Sequence, residues 1–318
     1  MTNLITADEI AAAAQALNGR IHRTPVVDLS PMRLGRHVAG KFEHWQLTGT
    51  FKVRGALLSV DALDARQRPA GVTAVSAGNH AIATAYAARE ARVSAHVVMT
   101  ASANPLRVSR CRELGAVVEI AGSVHDAFDR VAAIQRDEGR AFVHPFNSRQ
   151  MLLGSGTLGA EILAQRPDVG RVVVPIGGGG LAGGIATAIK LKRPDCEVIG
   201  VEPDGAASMQ RSLQLGEAVT LEEVTTIADS LGAPHAAALS FAHCASALDR
   251  VDTVTDDELR RAMRTLHDTL GFAVEPACAA TTAWYERYAD KNDSTMTVLL
   301  FCGSNIDVAS VNTLLSAS

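Results

Sequence analysis

No CxxC pair occurs in the chain, and its five cysteines (Cys111, Cys196, Cys244, Cys278 and Cys302) are scattered and odd in number. That excludes a disulfide framework and a cysteine zinc site, and points to a reduced, cytoplasmic protein. No apolar run exceeds strand length without a glycine or a charge, so none reads as spanning a bilayer. The opening residues MTNLITADEI lack the basic and apolar regions of an export signal. Positive charge is not in surplus: the net charge is -4, which favours neither nucleic acid nor an anionic membrane as partner. Lysine is scarce, with Lys41, Lys52, Lys190, Lys192 and Lys291 standing against 25 arginines. What is present is 318 residues, 47% hydrophobic and 20% charged, a globular composition long enough for one large or two ordinary domains.

Short β-branched runs alternate with Ala-rich helical stretches almost from end to end. Strands are predicted at 41–45, 72–76, 94–99, 117–120, 171–176, 197–201 and 295–301, and helices at 80–91, 127–137, 157–165, 181–191 and 256–270. Strand–helix alternation with non-alternating apolar strands means parallel sheet covered on both faces. No fixed-period repeat or low-complexity linker marks a domain boundary. In open parallel sheets, ligands lie at the carboxyl ends of strands, and four loops there stand out.

Gly177-Gly178-Gly179-Gly180-Leu181 follows a strand and opens a helix. Successive glycines expose backbone N–H groups at the positive end of a helix, which makes a phosphate cradle rather than a merely flexible loop. The same stretch holds a GxGxxG (Gly178, Gly180, Gly183) with Glu202 ending the next strand, so a nicotinamide-dependent oxidoreductase is a rival reading. Lys52 lies between Phe51 and Val53 just inside a helix start, and a semi-apolar site lowers an amine's pKa as a Schiff-base lysine needs. Lys190, Lys192 and Lys291 lie in polar surroundings and read as solvated. Position alone does not separate Lys52 from a surface lysine. Ser76-Ala77-Gly78-Asn79-His80 offers several donors for a carboxylate or phenolate, where simple N-capping needs only one. Cys302-Gly303-Ser304-Asn305 reads by itself as a plain strand–helix turn.

In this order, the four loops resemble those of the fold-type II pyridoxal-phosphate enzymes, specifically the serine/threonine dehydratase and serine racemase group. His144-Pro145-Phe146, Gly154-Ser155-Gly156-Thr157, Gly200-Val201-Glu202-Pro203, Thr226-Ile227-Ala228-Asp229 and Glu275-Pro276 extend the likeness over nearly the whole chain. The resemblance implies an α/β fold of two open parallel-sheet domains, like tryptophan synthase β, with pyridoxal phosphate in the cleft between them. The larger domain would comprise 1–60 and 147–318, and the smaller, 61–146, would carry the asparagine loop. Lys52 matches the Schiff-base lysine, Phe51 the residue beside the ring, and Asn79 the partner of the cofactor's phenolic oxygen. Gly177, Gly178, Gly179, Gly180 and Leu181 match the phosphate cup. Ser76, Ala77, Gly78, Asn79 and His80 match the loop that grips the substrate carboxylate. Cys302 falls where a serine usually meets the pyridine nitrogen, and Glu275 matches a carboxylate near the ring.

The implied reaction is removal of the β-hydroxyl of a small L-amino acid of the serine/threonine type, giving a 2-oxo acid and ammonia. Lys52 would take the Cα proton. Racemisation and β-replacement are the near alternatives, and a non-catalytic relative is disfavoured by the intact Lys52. In serine racemases a serine directly precedes Gly-Asn-His, and this chain has Ala77 there. Further departures are Ser155 within the usual GQGT, Ser230 after Thr-Ile-Ala-Asp, Cys278 three residues after Glu275, and Ser208 at the second position of a metal site some relatives build on the Glu202 equivalent. No metal is therefore expected. The chain's end at Ser318 is expected to leave no regulatory domain of the biosynthetic threonine dehydratase kind. A homodimer is expected.

Overall fold

Apolar runs without alternation, such as VVVP and TVLLF, form strands buried on both faces, as parallel sheets require. The computed structural model describes residues 4–32, 34–101, 103–290 and 292–316. Among them ten strands occur: β1 Val26–Asp28, β2 Val38–Phe42, β3 Val72–Val75, β4 Ala95–Thr100, β5 Val117–Ala121, β6 Ala141–Phe142, β7 Arg171–Pro175, β8 Glu197–Pro203, β9 Arg250–Val254 and β10 Thr297–Phe301. They build a six-stranded sheet, ordered β1-β2-β10-β7-β8-β9, and a four-stranded sheet, ordered β5-β4-β3-β6. All pairings are parallel except β1 with β2, where Val26 faces Lys41. The two parallel-sheet regions predicted from the sequence are thus present, with one antiparallel strand added at an edge.

Each sheet has its own apolar core. Val172, Val173, Val174, Ile199 and Leu299 pack with Ile185, Ala279 and Trp284 around the larger sheet. Val72, Ala74, Val97 and Met99 pack with Ala81, Ala85 and Ala88 around the smaller. The helix Lys52–Asp61 buries Val53, Ala56, Leu57 and Val60 in that second core, although the loop before it leaves the larger sheet from β2.

Three departures from the predicted elements have local causes. The strand predicted at 41–45 is shifted to Val38–Phe42, because Glu43–Trp45 turns as a 3-10 helix and sends Glu43 onto Arg54. The helix predicted at 157–165 begins at Arg149, with Ser148 accepting from the Met151 N–H as its cap. Gly154 belongs in it because a Cβ there would stand 2.5 Å from the Gly55 backbone nitrogen, so only glycine allows this helix onto Lys52–Asp61. The strand β9, RVDTV, mixes polar and apolar residues as an edge strand does and gives no run to read.

Candidate active site

The carboxyl ends of β7, β10 and β3 open into one pocket, where parallel sheets present their loops. Phe51, Lys52, Ser76, Ala77, Gly78, Asn79, His80, Gly177, Gly178, Gly179, Gly180, Leu181 and Cys302 all line it. Of the residues predicted for the site, Glu275 alone stands behind this surface, fully buried.

Lys52 takes the first position of its helix, where the positive end of the dipole disfavours a charged amine. Its Nζ donates to the Pro145 carbonyl at 2.5 Å and lies 5.1 Å from the centre of the Phe51 ring. Burial brings its pKa down from 10.5 to about 8. The lysine loop is laced to the Cys302 loop by backbone bonds: Phe51 N–H to Cys302 O at 3.3 Å, and Ser304 N–H to Gly49 O at 2.9 Å.

No side chain caps the helix Asn79–Ala91, so its first N–H groups are left for another acceptor, and N-capping does not account for the loop's polar residues. Ser76 Oγ accepts from the Gly78 N–H at 2.9 Å. The His80 imidazole meets the Val143 carbonyl at 2.7 Å through Nε2, and burial holds its pKa near 3. It therefore brings no charge to a carboxylate, and what this loop offers is its hydroxyl and backbone N–H groups. Asn79 Nδ2 donates to Glu275 Oε1 at 2.7 Å, and Asn79 Oδ1 accepts from Asn305 Nδ2 at 2.7 Å. Glu275 also accepts from Arg107 Nη2 at 2.8 Å and from Ser230 Oγ at 3.1 Å. Burial raises the Glu275 carboxyl and Arg107 opposes the rise.

The tetraglycine turn ends at Gly179, whose φ of +85° belongs to the left-handed region that favours glycine. The helix Gly180–Lys192 that follows has no side-chain cap either, so its N-terminus is open to an anion. Cys302 is buried, and a hydrogen bond to Cys278 together with burial holds its thiol well above the usual range. It is an uncharged partner.

A family profile described as "Pyridoxal-phosphate dependent enzyme" matches residues 17–303. The chain is 47% identical to phenylserine dehydratase of Ralstonia pickettii over 311 residues, covering 97% of this chain and 95% of that one. It is 34% identical to L-threonine ammonia-lyase of Thermotoga maritima, covering 98% of this chain and 79% of the relative. The solved structure of maize serine racemase superposes with a TM-score of 0.91 at 31% identity, covering 98% and 97% of the two chains. The chain belongs to the pyridoxal-phosphate dependent enzymes.

The residues present fit that cofactor. The glycine turn and uncapped helix suit its phosphate, the lowered Lys52 amine suits its aldehyde, and the neutral Cys302 suits a pyridine nitrogen. When bound, pyridoxal phosphate supplies the electron sink for charge released at Cα. The rival dinucleotide reading loses its acidic residue: Glu202 is buried and accepts from the Met209 and Gln210 N–H groups, both at 2.8 Å, as the cap of the next helix.

The other lysines differ from one another. Lys192 is exposed, whereas Lys190 is half-buried and pairs with Asp249 at 2.8 Å, which departs from its solvated reading. Lys291 lies outside the described residues. Lys41 is fully buried on Glu161 at 2.7 Å. Arg107, Phe128 and His235 at the site had no sequence signal, since one arginine among 25 in a short helix reads as surface.

Proposed function

We propose that this enzyme dehydrates and deaminates a β-hydroxy amino acid carrying an aryl group on its β-carbon, giving a 2-oxo acid and ammonia. One observation carries the choice of side chain: the pocket wall is aromatic in an aromatic-poor protein. Three of the eight phenylalanines, Phe51, Phe128 and Phe146, line the pocket. Phe146 and Phe128 flank His235 with ring centres 5.5 and 6.5 Å away. Leu231 and Pro234 extend the apolar wall, and among the described residues Lys52 and Asp229 are its only charged lining residues apart from histidine. Burial lowers the pKa of His235, which favours a neutral ring. The name of the phenylserine dehydratase relative points to the same substrate class.

In this reading Lys52 carries the cofactor and moves the Cα proton, because a lowered pKa leaves its amine able to act as a base near neutral pH. The Ser76–His80 loop binds the substrate carboxylate and the Gly177–Leu181 turn the phosphate. Range 61–146 forms the smaller domain, which suits the placement of β3–β6 within it. The enzyme works as a cytoplasmic homodimer; its unpaired cysteines and the neighbouring exposed Trp45 and Leu47 support this.

The test is a panel of serine, threonine and β-phenylserine, following release of 2-oxo acid and ammonia. Burial of a phenyl ring is worth about 1.5–3 kcal/mol, so β-phenylserine should exceed serine in kcat/KM by at least about tenfold. Equal or better turnover of serine refutes the aryl assignment.

A further inference from the structure

An asparagine side chain has nearly the same shape with its amide turned over, so its neighbours decide which end meets a ligand. Asn79 is useful to an acceptor oxygen only if its NH2 faces it. A line of directional hydrogen bonds sets that orientation here, and two arginines stand at its ends.

At one end, Arg110 Nη1 donates to Asn305 Oδ1. Arginine only donates, so the Asn305 NH2 must face the other way, to Thr48 O at 2.9 Å and Asn79 Oδ1 at 2.7 Å. With its oxygen taken, Asn79 turns its NH2 to Glu275 Oε1 at 2.7 Å. At the other end, Arg107 Nη2 holds Glu275 Oε2 at 2.8 Å, while Arg107 Nε holds the Asn305 carbonyl at 2.7 Å. Three donors converge on Glu275, which keeps its oxygens as acceptors. Turning either amide over would set NH2 against NH2 or oxygen against oxygen in a buried place. The second Asn79 N–H has only a long contact, 3.3 Å to Ser230 Oγ, and is the one left for a ligand. The fit is tight: a Cβ on Gly303 would stand 2.0 Å from Glu275 Oε1.

We propose that Arg107 and Arg110, one turn apart on the helix Pro105–Glu113, are positioning residues that aim the Asn79 amide N–H at the phenolic oxygen of pyridoxal phosphate. This rests on the reading of Asn79 as that oxygen's partner. The two arginines approach from the smaller sheet's side, and Glu275 and Asn305 from the larger, so the aim is set only when both halves of the site are together.

The test compares holoenzyme variants by cofactor dissociation constant, by the pH dependence of the cofactor's absorption band, and by thermal unfolding. Asn79→Ala is the reference. Arg110→Met should unfold near the wild-type temperature yet bind pyridoxal phosphate about tenfold more weakly, the worth of one hydrogen bond, with a shifted band; Arg110→Lys should recover most of the loss. Arg107→Met alone strands a buried carboxylate and is a poor probe of positioning. The double variant Arg107→Met/Glu275→Gln removes both charges of the buried pair, leaves of the charged groups only the exposed Asp229 without its Arg107 contact, and should keep the fold while losing cofactor affinity. If Asn79→Ala weakens binding but Arg110→Met and the double variant bind as wild type with an unshifted band, the positioning role is overturned. If Asn79→Ala itself leaves affinity and band unchanged, the reading of Asn79 falls and the proposal with it.

Discussion

Lys52 combines an apolar neighbour, a helix start and enclosure, and each disfavours the ammonium form. Burial brings its pKa from 10.5 to about 8. Only the neutral amine attacks an aldehyde, so capture of pyridoxal phosphate by apoenzyme should accelerate with rising pH and level off above about 8. Stopped-flow absorbance over pH 6–10 (roughly two units either side of that midpoint) reads this directly; a midpoint near 10.5 would mean the amine is solvated. Lys52→Ala should abolish turnover even where cofactor still binds. Cys302 presents an uncharged thiol, so Cys302→Asp should put a carboxylate beside the pyridine nitrogen, favour its protonation, red-shift the cofactor's spectrum and slow elimination. An unchanged spectrum and rate would show that Cys302 does not face the nitrogen. Ala77 lines the pocket with a methyl group that cannot move a proton. The enzyme should therefore racemise its L-substrate far more slowly than it dehydrates it, as chiral chromatography of residual substrate would report. Ala77→Ser should raise D-enantiomer formation by ~10²-fold, the lower range of general acid–base effects.

At the scale of elements, three helix N-termini turn toward one space: Lys52–Asp61, Asn79–Ala91 and Gly180–Lys192. None has a hydrogen bond to its N-cap side chain, whereas Thr6, Ser148 and Thr255 cap three of the helices that start elsewhere. Open helix starts disfavour positive charge on Lys52 and favour anions at the other two. The glycine turn depends on Gly179 at φ +85°. Gly179→Ala should cost about 1–2 kcal/mol of backbone strain and weaken cofactor binding about tenfold, measured by equilibrium dialysis. Wild-type affinity in that variant would mean the turn relaxes without loss of the phosphate site.

Across the whole molecule, the lysine loop is anchored by a buried charge cluster joining β2 and the helices Lys52–Asp61 and Arg149–Gln165. Arg54 makes a two-pronged contact with Glu43, both at 2.8 Å, and reaches Glu161 at 2.7 Å, which in turn holds Lys41 at 2.7 Å. Removing one partner from such a cluster leaves a buried charge, so Arg54→Met should destabilise the fold by ~3–5 kcal/mol in denaturant titrations. Burial works to raise the Glu43 carboxyl, but Arg54 and Lys41 outweigh it and hold it below its usual 4.5. Because the folded value is the lower one, this carboxylate stabilises fully above pH 4.5 and loses its contribution as pH falls below it. Acid unfolding in that window should be blunted in Glu43→Gln, a variant already weakened at neutral pH.

The sequence by itself marked the candidate loops, because each is local: a few small or polar residues before a helix, with Lys52, Asn79, Gly177–Gly180 and Cys302 at the joints; Lys52 and the Cys302 turn stood out only through the resemblance of all four loops in order, not singly. It also determined parallel sheet, since β7 and β10 are apolar on both faces. Tertiary structure decided what those loops are held by. Asn79 meets Glu275 across 196 residues of chain, and Arg107 meets Asp229 across 122. A lone charged or polar residue has no periodicity that could announce so distant a partner. The aromatic wall is decided in the same way: Phe128, Phe146 and His235 come from separate loops and helices, and only the closing of the two sheets around one pocket makes them a surface.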